Sequence, residues 1–91
     1  MQLTFDPAKN DRNVQERGLS FMLLSEFDWA KAYLVEDKRQ DYGERRFRVL
    51  GCIRGRLYAA VFTPRAGMLH VISLRKANSR EVKVYEKTLE S

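Results

Sequence analysis

Glu44 and Arg46 stand two residues apart in this 91-residue chain, and Arg65 follows among eight arginines that fall between positions 45 and 80. A guanidinium is planar and permanently charged, and its fork of N–H donors fits phosphate oxygens two at a time. Set around a phosphate, such groups stabilise the negative charge that gathers on phosphorus during transfer, commonly the largest catalytic contribution. Other reactive groups are few. There is one histidine, His70, and one cysteine, Cys52, and no Cys/His/Asp/Glu cluster has metal-ligand spacing. No Gly-rich phosphate loop and no nucleophile elbow is present, which excludes P-loop nucleotide hydrolysis and serine-hydrolase chemistry. Metal-independent cleavage of RNA fits what remains, because RNA brings its own nucleophile in the 2′-hydroxyl. The protein must position the strand, take one proton, stabilise the phosphorane and protonate the 5′-oxygen. Arginine supplies the charge. Proton transfer falls to Glu44, or to an arginine or lysine acting mainly through its charge. DNA, lacking the 2′-hydroxyl, would be spared.

Charge is divided unevenly along the chain. Residues 1–43 hold six basic and eight acidic side chains, and residues 44–91 hold eleven basic and four acidic. A second half at +7 favours a polyanion, a phosphorylated substrate or an acidic protein as partner, against the plain alternative of a solvated surface. Length allows one domain, residues 1–91, with a modest core. Cys52 alone forms no internal disulfide and reads as a small buried strand residue. No basic-then-apolar leader opens the chain, and no apolar run approaches the ~20 residues of a bilayer span. A cytoplasmic location is expected, with no membrane partner.

The elements that must hold these residues are marked by their caps and periods. Asp6 and Pro7 open a polar helix that Gly18 closes, and Ser20 caps a second helix over Phe21 to Trp29. Within it Phe21, Leu24 and Phe27 recur every third residue and face the core. Gln2 to Phe5 and Tyr33 to Glu36 read as short strands. From Arg45 the period becomes two: Phe47, Val49 and Ile53 point one way, and Arg46, Arg48, Leu50 and Cys52 the other. Arg54-Gly55 and Pro64 to Gly67 make turns around a strand, Arg56 to Thr63, that is apolar on both faces and therefore central. A last helix starts at Asn78 or Ser79 with Glu81 placed for a capping box, and Val82, Tyr85 and Leu89 line one face. The result is an α+β fold: an antiparallel meander with two N-terminal helices and one C-terminal helix. In it Glu44 and Arg46, at the start of one strand, lie near Arg65 at the end of the next. Arg45, Arg48 and Arg54 read as charge that contacts phosphate or a protein partner. Arg56 reads as a solvated turn residue or an RNA contact. Tyr85 fits both a core residue with a satisfied hydroxyl and a residue that stacks on substrate. His70, between Leu69 and Val71, fits a packed neutral imidazole as well as a general base.

One ordered set of short motifs is narrower than any of these signals. Phe5-Asp6-Pro7-x-Lys9-Asn10-x-x-Asn13 is followed by Gly18-Leu19-Ser20-Phe21, Gly43-Glu44-x-Arg46, Gly51 and Gly55-Arg56-Leu57. Val61-Phe62-Thr63-x-Arg65, Ile72-Ser73-x-Arg75-x-Ala77 and Arg80-Glu81-x-x-x-Tyr85 complete it. From Phe5 to Tyr85 the chain resembles the BrnT-type toxins, small ribonucleases of bacterial type II toxin–antitoxin pairs. The resemblance implies a RelE-like fold and a metal-independent endoribonuclease without a cofactor. It adds Arg75 and Arg80 to Glu44, Arg46 and Arg65 as catalytic candidates, with Arg17, Arg45, Arg48, Arg56 and Tyr85 as RNA contacts. Its implied partner is a BrnA-like ribbon-helix-helix antitoxin, two bound to two toxins. That antitoxin would block the toxin and alone contact operator DNA. Family members often carry Lys-His-Gly where this chain has Glu16-Arg17-Gly18, so any role of that histidine passes here to the charge of Arg17. Two rival readings use the same residues: a non-catalytic module that binds RNA or an acidic protein, and a toxin-fold regulatory partner without activity.

Overall fold

The computed structural model describes residues 2–90. Strand β1 (Leu3–Thr4) leads into helix α1 (Pro7–Arg17), and β2 (Tyr33–Asp37), β3 (Arg46–Ile53), β4 (Arg56–Arg65), β5 (Met68–Lys76) and helix α2 (Ser79–Leu89) follow. Asp6 Oδ1 accepts the Ala8 amide at 2.9 Å, and Gly18 ends α1 in the left-handed region at φ 69°. The helix expected over Phe21 to Trp29 is instead two 3-10 segments, Phe21–Glu26 and Trp29–Lys31. Its period of three was the reason. Phe21, Leu24 and Phe27 repeat every turn of a 3-10 helix, whereas an α-helix would rotate them apart. The N-terminal half therefore holds one α-helix rather than two.

The sheet order is β1-β5-β4-β3-β2, with β4 central. Strands β2 to β5 pair antiparallel with their sequence neighbours, but β1 lies parallel to β5 through Leu3–Leu69 and Thr4–His70. The sheet is mixed, not a pure antiparallel meander. The physical cause is the outer edge of β5, which would otherwise expose unpaired backbone groups. There β1 covers one stretch, and Asn13 Nδ2 of α1 donates to the Leu74 carbonyl at 3.0 Å further along. Both hairpins turn on two residues at positive φ: Arg54 and Gly55 at 50° and 81°, Ala66 and Gly67 at 51° and 75°. That pairing of signs is the type I′ turn, whose twist matches that of the strands it joins.

One face of the sheet is packed. Phe21, Leu24 and Phe27 lie on Val49, Ala60, Phe62, Val71 and Leu74 in a continuous apolar core. Gly51 lets the Phe27 ring sit directly on β3, since a Cβ there would come within 2.5 Å of Phe27 Cδ2. A register shift between Val61 and Phe62 changes the β4–β5 pairing by one residue, which lets Val71 and Leu74 both reach the core. Helix α2 opens on a complete capping box, Asn78 Oδ1 to the Glu81 amide and Glu81 Oε1 to the Asn78 amide, each 2.9 Å. Leu89, expected on its inner face, is 56% exposed, so Tyr85 carries the burial of that stripe.

Candidate functional site

The other sheet face carries the arginines. Cross-strand register arranges it in ranks: Val35 beside Arg48, Arg48 beside Val61, and Val61 beside Ser73 form one. Tyr33, Leu50, Ala59 and Arg75 form the next toward the C-terminal end of β3. Asp37 and Arg46, with Thr63, His70 and Thr4, form the preceding one. Successive ranks are two residues apart, about 7 Å along the strands.

Helix α2 turns part of this face into a groove of about 410 Å³. Val35, Leu50, Ala59 and Val61 give it an apolar floor, and Arg48, Arg75 and Arg80 bring charge to it. Arg39 also lines it, so four arginines meet one carboxylate, Glu81. Arg75 forks onto Glu81 at 2.7 and 2.8 Å, which holds the Glu81 carboxyl below its usual range and raises the arginine. Glu81 thus fixes Arg75 with both oxygens and caps α2 with Oε1. Among the described residues the Arg48 and Arg80 side chains make no hydrogen bond or ion pair, although the Arg48 charge, after the Arg75 fork, also helps to lower Glu81. Two guanidiniums with their donors unused on one groove are well suited to bind an anion.

A second cluster lies at the start of β3. Glu44 accepts Arg65 Nη2 at 3.1 and 3.3 Å and has Arg46 Nε at 3.7 Å. His70 Nδ1 is 2.7 Å from Thr4 Oγ1. Burial first, and the Arg65 charge next, push the imidazole below its ordinary value, so it is neutral at pH 7. Arg46 Cζ lies 4.2 Å from the centroid of the Tyr42 ring. Asp37 accepts the Arg39 fork, which first of all holds its carboxyl well below the usual range, and the Tyr42 hydroxyl at 3.0 Å.

The five catalytic candidates therefore divide. Glu44, Arg46 and Arg65 converge, and Arg75 and Arg80 meet Arg48 in the groove. From the rank of Arg46 to that of Arg75 is about 14 Å along the strands. Tyr85 is turned inward: it is 6% exposed and its hydroxyl donates to the Lys31 carbonyl at 3.0 Å. Burial pushes that phenol up, and no ring face is open for a base to stack on. Arg45 lies over Phe47 on the packed side and forks onto Glu36 at 3.0 and 3.2 Å, away from Arg46 and Arg48. Arg56 stands opposite Ile53 at the hairpin end, on the same side. Arg17 Nη1 donates to the Leu74 carbonyl at 3.4 Å, at the sheet edge, and Arg54 pairs with Glu26. Sequence reasoning passed over Arg39 and Tyr42, and quoted Ser73 within a motif without giving it a role. The β4–β5 register places Ser73 on the groove, and Tyr42 sits in a loop with no periodic signal.

Among the described residues no three His, Cys, Asp or Glu side chains group to hold a metal ion, and no helix is long and apolar enough to cross a membrane. Residues 5–81 match the family model described as "Ribonuclease toxin, BrnT, of type II toxin-antitoxin system". No curated protein matches the chain.

Proposed function

The chain belongs to the BrnT family of ribonuclease toxins of type II toxin–antitoxin systems, and from that premise we propose that it cuts RNA on the arginine-bearing sheet face. The observation that carries this reading is the pair Arg48 and Arg80, whose guanidinium donors make no hydrogen bond or ion pair among the described residues, on the groove that Arg75 also lines. An RNA strand crossing the ranks meets this groove and then the Glu44–Arg46–Arg65 cluster. The two clusters take different phosphates of one strand.

Chemistry belongs to the Glu44 cluster, because the groups there can move protons as well as hold charge. Arg46 and Arg65 stabilise the phosphorane formed when the 2′-hydroxyl attacks. Glu44, as the carboxylate, takes the hydroxyl proton and, now protonated, returns it to the 5′-oxygen, with the neutral His70 beside it as the alternative carrier of that same proton. Arginine charge does the electrostatic work that a Lewis acid does in other nucleases, so the reaction needs no metal. Arg48, Arg75 and Arg80 hold the neighbouring phosphate and set the strand in place. A BrnA-like ribbon-helix-helix antitoxin, two with two toxins, neutralises the protein by covering this face. Operator DNA is then contacted through the antitoxin, and the site of action is the cytoplasm.

The test compares Arg48→Ala and Arg80→Ala with Arg45→Ala, whose side chain is on the far side of the sheet. The first two are expected to weaken RNA affinity and to flatten its dependence on salt by about one phosphate contact each. Arg45→Ala is expected to leave both close to wild type. Equal loss from all three variants, or none from the groove pair, would move RNA off this face.

A further inference from the structure

We infer that Tyr42, pinned by Asp37, is a positioning residue for Arg46, holding its guanidinium so that the outer Nη groups are offered to a phosphate of the bound strand. This rests on the reading of the face as an RNA site. The argument begins with a pairing that does not form. Asp37 and Arg46 are directly opposite in the β2–β3 register, where opposite charges ordinarily meet. Here both carboxylate oxygens are already engaged. Oδ1 accepts the Arg39 amide at 3.1 Å and Arg39 Nε at 2.9 Å, and Oδ2 accepts Arg39 Nη2 at 2.9 Å and the Tyr42 hydroxyl at 3.0 Å. Asp37 is only 5% exposed, so its bonds are well shielded.

Arg46 is left to the Tyr42 ring. Its Cζ is 4.2 Å from the ring centroid, inside the reach of a cation–π contact. A cation–π contact draws on the charge of the guanidinium and supplies no hydrogen-bond acceptor oxygen to its N–H groups. Among the described residues Arg46 Nε is a buried polar atom without a hydrogen bond, and the nearest carboxylate oxygen, Glu44 Oε2, stands off at 3.7 Å. A buried donor left open is uncommon in folded proteins, and a functional role is one of the standard reasons for it. Nε is covered, so a phosphate is met by the outer Nη groups of a side chain that stays 30% exposed, and Asp37, though adjacent, does not compete because Arg39 and Tyr42 occupy it. The staple thus keeps Arg46 oriented, with Glu44 at 3.7 Å as its ion-pair partner.

The experiment uses the full chain with Tyr42→Leu, Tyr42→Phe, Arg46→Ala and the double variant Tyr42→Leu/Arg46→Ala. Cleavage of an RNA oligonucleotide gives kcat and KM, and the Arg46 Nε–Hε signal is followed by NMR in 15N-labelled protein. Tyr42→Leu is expected to lower kcat by about tenfold or more with little change in KM, while Tyr42→Phe, which keeps the ring and loses the Asp37 pin, is expected to fall between Tyr42→Leu and wild type. The double variant is expected to be no worse than Arg46→Ala alone, because both changes remove the same interaction. In wild type and Tyr42→Phe the Hε signal lies upfield, over the ring. An oligonucleotide with a 2′-deoxy sugar at the cut position moves it downfield. Losses that multiply in the double variant, full activity in Tyr42→Leu, or an Hε signal that ignores the oligonucleotide while those of Arg48 and Arg80 respond would overturn the inference alone. Absence of both cleavage and any arginine response would instead overturn the RNA reading on which it stands.

Discussion

His70 and Arg65 answer to each other at the scale of single residues. Burial and the Arg65 charge lower the imidazole below 6.5, so the unfolded chain binds the proton more readily than the folded one. The sign follows: the stability His70 contributes is present above the ordinary imidazole range and is lost as pH falls through it. Arg65→Ala removes the smaller of the two causes and is expected to raise the His70 midpoint, read by NMR titration, part of the way back. The same variant is expected to slow cleavage by tenfold to thousandfold, about 1.4–4 kcal/mol of transition-state stabilisation. An unmoved midpoint would separate the two residues, and unimpaired cleavage in a folded protein would remove Arg65 from the site. The nearness of Arg65 to Glu44 was legible in the sequence, because a meander brings the start of one strand beside the end of the next. The separation of Arg46 and Arg48 from Phe47 and Val49 was legible too, once the period of two was applied. Tyr42 was not, since a loop residue declares no partner until the loop is folded.

At the scale of elements, close approach decides where glycine is required. Gly51 has ordinary backbone freedom but no room, as the Phe27 ring occupies the space of a side chain. Gly51→Ala is expected to cost about 1–3 kcal/mol and to lower the melting temperature by several degrees, because β3 or Phe27 must shift. A melting temperature equal to wild type would show that the ring moves aside freely. The caps of α1 and α2 were readable from Asp6, Gly18, Asn78 and Glu81, because each acts through its nearest neighbours in sequence. The identity of the Phe21–Lys31 segment was half readable. Its spacing of three named the buried residues correctly and the 3-10 geometry was implicit in it. The pairing of β1 with β5 was not readable, since partners 66 positions apart, Thr4 and His70, carry no local sign of each other.

The whole molecule is a sheet with one packed face and one cationic face, and the proposed function uses that division. The charge split along the chain pointed to a cationic second half. It did not show that Arg45, Arg54 and Arg56 would fall away from the groove, because hairpin turns and salt bridges to Glu36 and Glu26 redistribute charge only in the folded state. Family membership supplies the class of reaction, and the arginine face supplies a way to perform it with the 2′-hydroxyl as nucleophile. The direct measurement is to map the cut ends of an RNA oligonucleotide beside a twin carrying one 2′-deoxy sugar immediately 5′ of the cut, with and without chelator. The predicted result is 2′,3′-cyclic or 3′-phosphate ends, cutting unchanged by chelator, and no cut at the deoxy position. Ends bearing 5′-phosphate, activity abolished by chelator, or equal cutting of the deoxy twin would contradict it.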